Sequence, residues 1–168
     1  KGLTAGYLPM SVVAVTENIY NVFLSDNGLE KRFCFGQTFS GNPIAAAVSA
    51  ENIRLFKKEN LMEKMQGKIE LLGSLLAEKI EPLEHVYEIR RLGFMTGIEL
   101  TQTPGLYDPY PSQALINQKA TKIARSKGAI IRPLGNVMVL MPPLSISDSE
   151  LEQLVTITAE SLNEVTHG

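Results

Sequence analysis

The stretch VYEIRRLGFMTGIEL, residues 86–100, decides the class of fold. Residues 86–91 and 94–100 read as two strands joined at Gly93, a residue type suited to a tight reversal. Upstream, Leu61, Met65, Ile69, Leu72, Leu76 and Ile80 recur in steps of three and four. That spacing puts them on one face of a long helix starting near Asn60, and Pro82 ends it. Downstream, Leu115, Ile116, Ile123 and Ala124 mark a helix that stops at Gly128. Residues 129–132 and 137–141 read as strands around a Leu134-Gly135-Asn136 turn. Ser147 and Glu150 have capping-box spacing ahead of a last helix through Leu151, Leu154, Val155, Leu162 and Val165. Helices and strands mixed in this order predict a compact α+β layer over residues 59–168.

Residues 1–58 read differently. Residues 1–9 (KGLTAGYLP) hold glycine and proline breaks and form a loop. Residues 10–15 (MSVVAV) are apolar and rich in β-branched side chains, so a buried strand is expected. Residues 17–24 suggest a short helix, and residues 25–41 a Gly-punctuated loop. Asn42-Pro43 then starts an Ala-rich helix that runs to about Lys58, with Asn as the cap and Pro at the first helical position. The best domain boundary is near Asn60.

Composition narrows the class. Of 168 residues, 44% are hydrophobic and 20% charged, with a net charge of -2. No apolar run reaches the roughly 18 residues of a membrane span, so no membrane partner is expected. No basic block suggests nucleic acid. The lone Cys34 excludes an intrachain disulfide and fits a reducing compartment, the cytoplasm. Between Phe33 and Phe35 it reads as a buried apolar side chain. His85 and His167 lie far apart in the sequence, without a further ligand at metal spacing, so no metal site is expected. Patterning alone stops at a globular α/β or α+β domain.

Four ordered segments go further: KGLTAGYLP (1–9), GQTFSGNP (36–43), RRLGFMTGIEL (90–100) and IRPLGNVMVLMPPL (131–144). Together they resemble the C-terminal part of class III (ω-type) pyridoxal-phosphate aminotransferases, over essentially the whole chain. The resemblance implies a fragment of the type I PLP-transferase fold. Residues 1–58 would be a remnant of the PLP-binding large domain, and residues 59–168 the linking helix and small domain. It also implies pyridoxal 5'-phosphate as cofactor and a homodimer.

Carried over residue by residue, Lys1 would join the pyridoxal aldehyde. A deprotonated amine is nucleophilic, and once freed it can also carry a proton. Thr38, with Gly36 before it, would contact the cofactor phosphate of the neighbouring subunit, near a helix start that favours negative charge. Arg132 would hold the substrate carboxylate, because a planar guanidinium matches it with two parallel hydrogen bonds. Gly36 and Tyr7 would line the substrate site. Arg90 and Arg91 are expected to be solvated or salt-bridged, and Gly93 and Gly97 to meet backbone requirements. The family usually has a second glycine at Ala5 and a histidine at Phe35. The implied substrates are S-adenosylmethionine as amino donor and 8-amino-7-oxononanoate as acceptor, or another donor and acceptor of the same class. The chain opens on Lys rather than Met. The family's ring-nitrogen acid, stacking aromatic and glycine-containing phosphate loop have no counterpart here. The chain by itself is therefore expected to bind the cofactor poorly, or to act only as an association domain.

Overall fold

The computed structural model describes residues 1–24 and 31–167. It divides into two compact units, Lys1–Leu61 and Met62–Gly168.

The first unit holds two helices, α1 (Glu17–Val22) and α2 (Pro43–Lys58). The Asn42-Pro43 signal sets the start of α2. The Asn42 side-chain oxygen accepts the Ile44 and Ala45 amides at 2.9 and 3.3 Å. These are two of the donors that a helix start leaves unpaired, and Pro43 lacks the N–H that would have been a third. Residues 10–15 are not a strand: Val13 is 84% exposed and no strand pairs with them among the described residues. An apolar β-branched run becomes a strand only where neighbours accept its backbone hydrogen bonds and cover its side chains. The loop expected over residues 25–41 lies partly outside the described residues. Within the described part, Cys34 is exposed, with Phe33 and Phe35 exposed beside it. The expected burial of this thiol fails because the described residues of the unit leave Cys34 uncovered, and the Arg32 Nε–H donates to its Sγ with Nε at 3.1 Å.

The second unit is built on an antiparallel sheet of order β1-β2-β4-β3. Its strands are β1 (Val86–Leu92), β2 (Met95–Leu100), β3 (Arg132–Leu134) and β4 (Val137–Leu140). Gly93 turns the first hairpin at φ 61°. Gly97 permits a close approach, since a Cβ there would lie 3.1 Å from Val137 Cγ1. The register pairs Thr96 with Leu140 and Ile98 with Met138. Those four and Leu100 are buried, while Met95 and Glu99 on β2 alternate to the less buried side. β3 begins where its strand was expected to end, at Arg132. It is the sheet edge, where Pro133 interrupts no ladder.

Three helices complete the unit: α3 (Leu61–Lys79), α4 (Ile116–Ser126) and α5 (Asp148–His167). Leu72, Leu76 and Ile80 of the predicted stripe are fully or almost fully buried. They share the core with Leu151, Val155 and Leu162 of α5. Gly128, at φ 99°, follows the end of α4 as expected. The capping box forms: the Ser147 amide donates to the Glu150 carboxylate at 2.8 Å, and Ser147 Oγ accepts the Glu150 amide at 3.3 Å. No helix among the described residues is long and apolar enough to cross a membrane.

Candidate functional site

The site residues read from the sequence fall in both units. Lys1 opens a tight turn in which its carbonyl accepts the Gly6 amide at 3.0 Å. Ala5 and Gly6 both take positive φ, 51° and 81°. The turn is fastened from inside and from outside. Thr4 is buried, and its hydroxyl donates to the Leu8 carbonyl at 2.5 Å. Asn52 Nδ2 on α2 donates to the carbonyls of Gly2 and Leu3 at 2.8 and 3.1 Å. Lys1 itself is exposed, so a solvated amine sits on a pinned backbone.

Thr4 and Asn52 were missed by the sequence reading. Asn52 looks like any polar helix residue, and only the folded path brings the Lys1 turn to it. Ala5 did leave a signal. A left-handed residue is costly for any side chain with a Cβ, which is a physical reason for glycine to be usual there.

Thr38 is exposed in a turn where the Ser40 amide donates to Gln37 O at 2.9 Å and the Gln37 amide to Ser40 Oγ at 3.1 Å. Its hydroxyl has no partner among the described residues and is free to donate. Asn42 occupies two amides of the α2 start. What remains for an anion near this turn is the Thr38 hydroxyl and backbone, aided by the helix dipole rather than by those amides. Gly36 is exposed, with nothing within 4 Å of where a Cβ would stand. Tyr7 is 82% exposed, and its amide donates to Thr4 O at 3.0 Å.

Arg132 lies in the second unit, at the start of edge strand β3 and opposite Val139. It lines a half-open cleft of about 780 Å³ together with Val139, Met141, Pro143, Glu150 and Ile157. The other arginines named above are engaged. Arg90 bridges Glu88 and Glu99 at 2.5 and 2.6 Å. Arg91 donates to the carbonyls of Ile69 and Gly93 at 3.0 and 3.4 Å. Arg132 has no ion-pair partner among the described residues. The acid in its cleft, Glu150, is committed to the Ser147 amide and hydroxyl, which hold its carboxyl below the ordinary carboxylate value. A fork-shaped cation without a carboxylate partner, beside apolar walls, is suited to take a carboxylate from outside.

The tyrosines of the loop after β2 are used structurally. Tyr107 packs 5.1 Å from the Tyr87 ring. Tyr110 lies with its hydroxyl 3.4 Å from His85 Nδ1, and burial, then the Asp108 charge, raises its phenol above the usual value.

Comparison with known proteins gives a consistent result. The family described as aminotransferase class-III matches residues 1–162. The adenosylmethionine-8-amino-7-oxononanoate aminotransferase of Nitratidesulfovibrio vulgaris is 43% identical over 100% of this chain and 31% of its own length. The putrescine–pyruvate aminotransferase of Pseudomonas aeruginosa is 33% identical over 98% of this chain and 35% of its own. The crystal structure of adenosylmethionine-8-amino-7-oxononanoate aminotransferase from Methanocaldococcus jannaschii superposes with a TM-score of 0.92 at 38% identity, over 96% of this chain and 37% of that one. The chain thus spans about a third of the length of the relatives it matches.

Proposed function

The chain belongs to the class III aminotransferases, and from that membership we propose that it supplies the lysine and the carboxylate clamp of a pyridoxal-phosphate-dependent aminotransferase. The proposed reaction moves an amino group from S-adenosylmethionine to 8-amino-7-oxononanoate, giving 7,8-diaminononanoate for biotin synthesis. The observation that carries the reading is Arg132, a guanidinium in a cleft without an ion-pair partner among the described residues, in a chain whose relative of that activity is 43% identical.

The residues present fit two ends of pyridoxal phosphate. Lys1 offers a solvated amine on a pinned turn, and Thr38 an unpartnered hydroxyl beside a helix start. When bound, the cofactor supplies an electron sink that lets a proton leave the carbon bearing the amine. Lys1 Nζ takes that proton as a base and returns it as an acid. Asn52 and Thr4 hold the turn so that the amine starts from one place. Thr38 donates to the phosphate, in a homodimer to the site of the neighbouring subunit. Arg132 holds the acceptor's carboxylate and thereby sets which end of the substrate enters first. Gly36 and Tyr7 line the substrate path. A cytoplasmic setting accords with a single exposed thiol.

A second reading keeps the chemistry and changes the substrates, because a relative named for putrescine and pyruvate also matches across 98% of the chain. The test is an assay of the complete polypeptide with pyridoxal phosphate. 7,8-Diaminononanoate formed from S-adenosylmethionine and 8-amino-7-oxononanoate, and lost in Lys1→Ala, is the expected result. Turnover only with a diamine and pyruvate would favour the second reading. Full activity of Lys1→Ala would sink both.

A further inference from the structure

We propose that Glu84, His85 and His167 form a binding site for a divalent transition-metal ion such as Zn²⁺, in the second unit and independent of the aminotransferase reading. The sequence separates the two histidines, and the fold brings them together. Glu84 and His85 lie in the turn that leads into β1, and His167 lies in the last turn of α5. The two imidazole rings are 5.4 Å apart, edge to face at 79°. One potential ligand atom from each of the three residues lies within 4.8 Å of the other two. His167 Nε2 is 3.9 Å from Glu84 Oε2.

The hydrogen bonds around the rings favour metal ligation. His85 Nδ1 is 2.9 Å from the Thr101 carbonyl, and His167 Nδ1 is 3.0 Å from the Asn163 carbonyl. A carbonyl can only accept, so Nδ1 of each ring is the donor, and in a neutral imidazole that leaves Nε2 with its lone pair for a metal. Orienting an imidazole through its second nitrogen is how proteins prepare a histidine ligand. Two imidazoles and one carboxylate form a donor set suited to Zn²⁺, with water completing the coordination.

Tetrahedral zinc with ligand bonds near 2.0–2.1 Å places its ligands about 3.3 Å apart. The 3.9 Å gap between Glu84 and His167 must therefore close by less than 1 Å, and since all three ligand atoms lie within 4.8 Å of one another, no pair must close by more than about 1.5 Å. The Glu84 and His167 side chains are 72% and 47% exposed, which leaves them room to make that movement. A bound ion would tie the end of α5 to the turn before β1 and stabilise the second unit by binding only its folded form.

The test is equilibrium dialysis of the chain against Zn²⁺ alone, in a Cys34→Ser background that removes the exposed thiol as a competing ligand. One ion per chain is expected, with the His85 and His167 ring resonances shifting together on titration. Glu84→Gln and His167→Ala each remove a ligand. Losing an outer-shell partner alone costs 10- to 100-fold in other sites, so each should weaken binding by at least about tenfold. Both positions are exposed enough for the fold to survive, and circular dichroism of the variants checks it. Absence of saturable binding would overturn the site. So would unchanged binding in His167→Ala, or a shift confined to one ring.

Discussion

The two units spend their apolar residues in opposite ways. In the second, Leu72, Ile80, Ile98, Leu100, Met138, Leu140, Leu151 and Leu162 are all at most 1% exposed. In the first, Val12, Val13, Phe33, Phe35, Phe39 and Ile44 stand between 62% and 86% exposed, and Ala45 is its one buried hydrophobic residue among those described. The same residue types are covered at the core of one unit and left uncovered in the other. The difference lies in whether the described residues of the same unit supply a covering surface.

The largest test of this contrast is the state of assembly. The purified chain should self-associate or aggregate through residues 1–58, and static light scattering at rising concentration reads it. A monomer throughout the range would break the comparison. Next in size are the core substitutions. Ile98→Ala should cost about 2–5 kcal/mol in urea unfolding, whereas Val13→Ala, 84% exposed, should stay within about 0.5 kcal/mol. Equal effects would mean that the first unit is not open. Arg132→Ala, assayed in the complete enzyme, should raise KM for the acceptor, whose carboxylate it is proposed to hold, by an amount worth about 2–3 kcal/mol. Unchanged kinetics for both substrates would show that the cleft is not the carboxylate site.

Two smaller tests sharpen the picture of each unit. Ala5 sits at φ 51°, so Ala5→Gly should stabilise the first unit by a net of about 0.5–1 kcal/mol, the relief of strain exceeding the added chain entropy. Hydrogen exchange at the Gly6 amide, bonded to the Lys1 carbonyl, would report it. In the second unit, hydrogen bonds from the Ser147 amide and then its hydroxyl hold the Glu150 carboxyl below its ordinary value of 4.5. The folded value is lower than the unfolded one. The contribution is therefore complete well above pH 4.5 and is lost as pH falls through the folded value. Acid titration of helicity by circular dichroism should show a steeper low-pH loss in the wild type than in Glu150→Gln.

Much of the second unit was legible before folding because its signals are local. The apolar stripe of α3, the reversal at Gly93, the stop at Gly128 and the Ser147–Glu150 box each depend on a few neighbouring residues. The start of α2 at Asn42-Pro43 was readable for the same reason. Residues 10–15 were misread as a strand, and Cys34 as buried, because both depend on a distant surface that the described residues do not supply.

The candidate site divides along the same line. Lys1, Thr38 and Arg132 could be named from ordered segments of sequence, and so could the unusual alanine at position 5. Their surroundings could not. Helical and strand periodicities report which face a side chain takes, but not which remote atom meets it. Only tertiary structure put the Asn52 amide on the Gly2 and Leu3 carbonyls, left Arg132 without an ion-pair partner among the described residues, and brought His167 to Glu84 and His85. The sequence by itself determined helix starts, reversals and the chemical types available, since these follow from backbone and neighbour physics. Tertiary structure decided which polar groups are paired and which remain free, because pairing depends on where the chain returns in space.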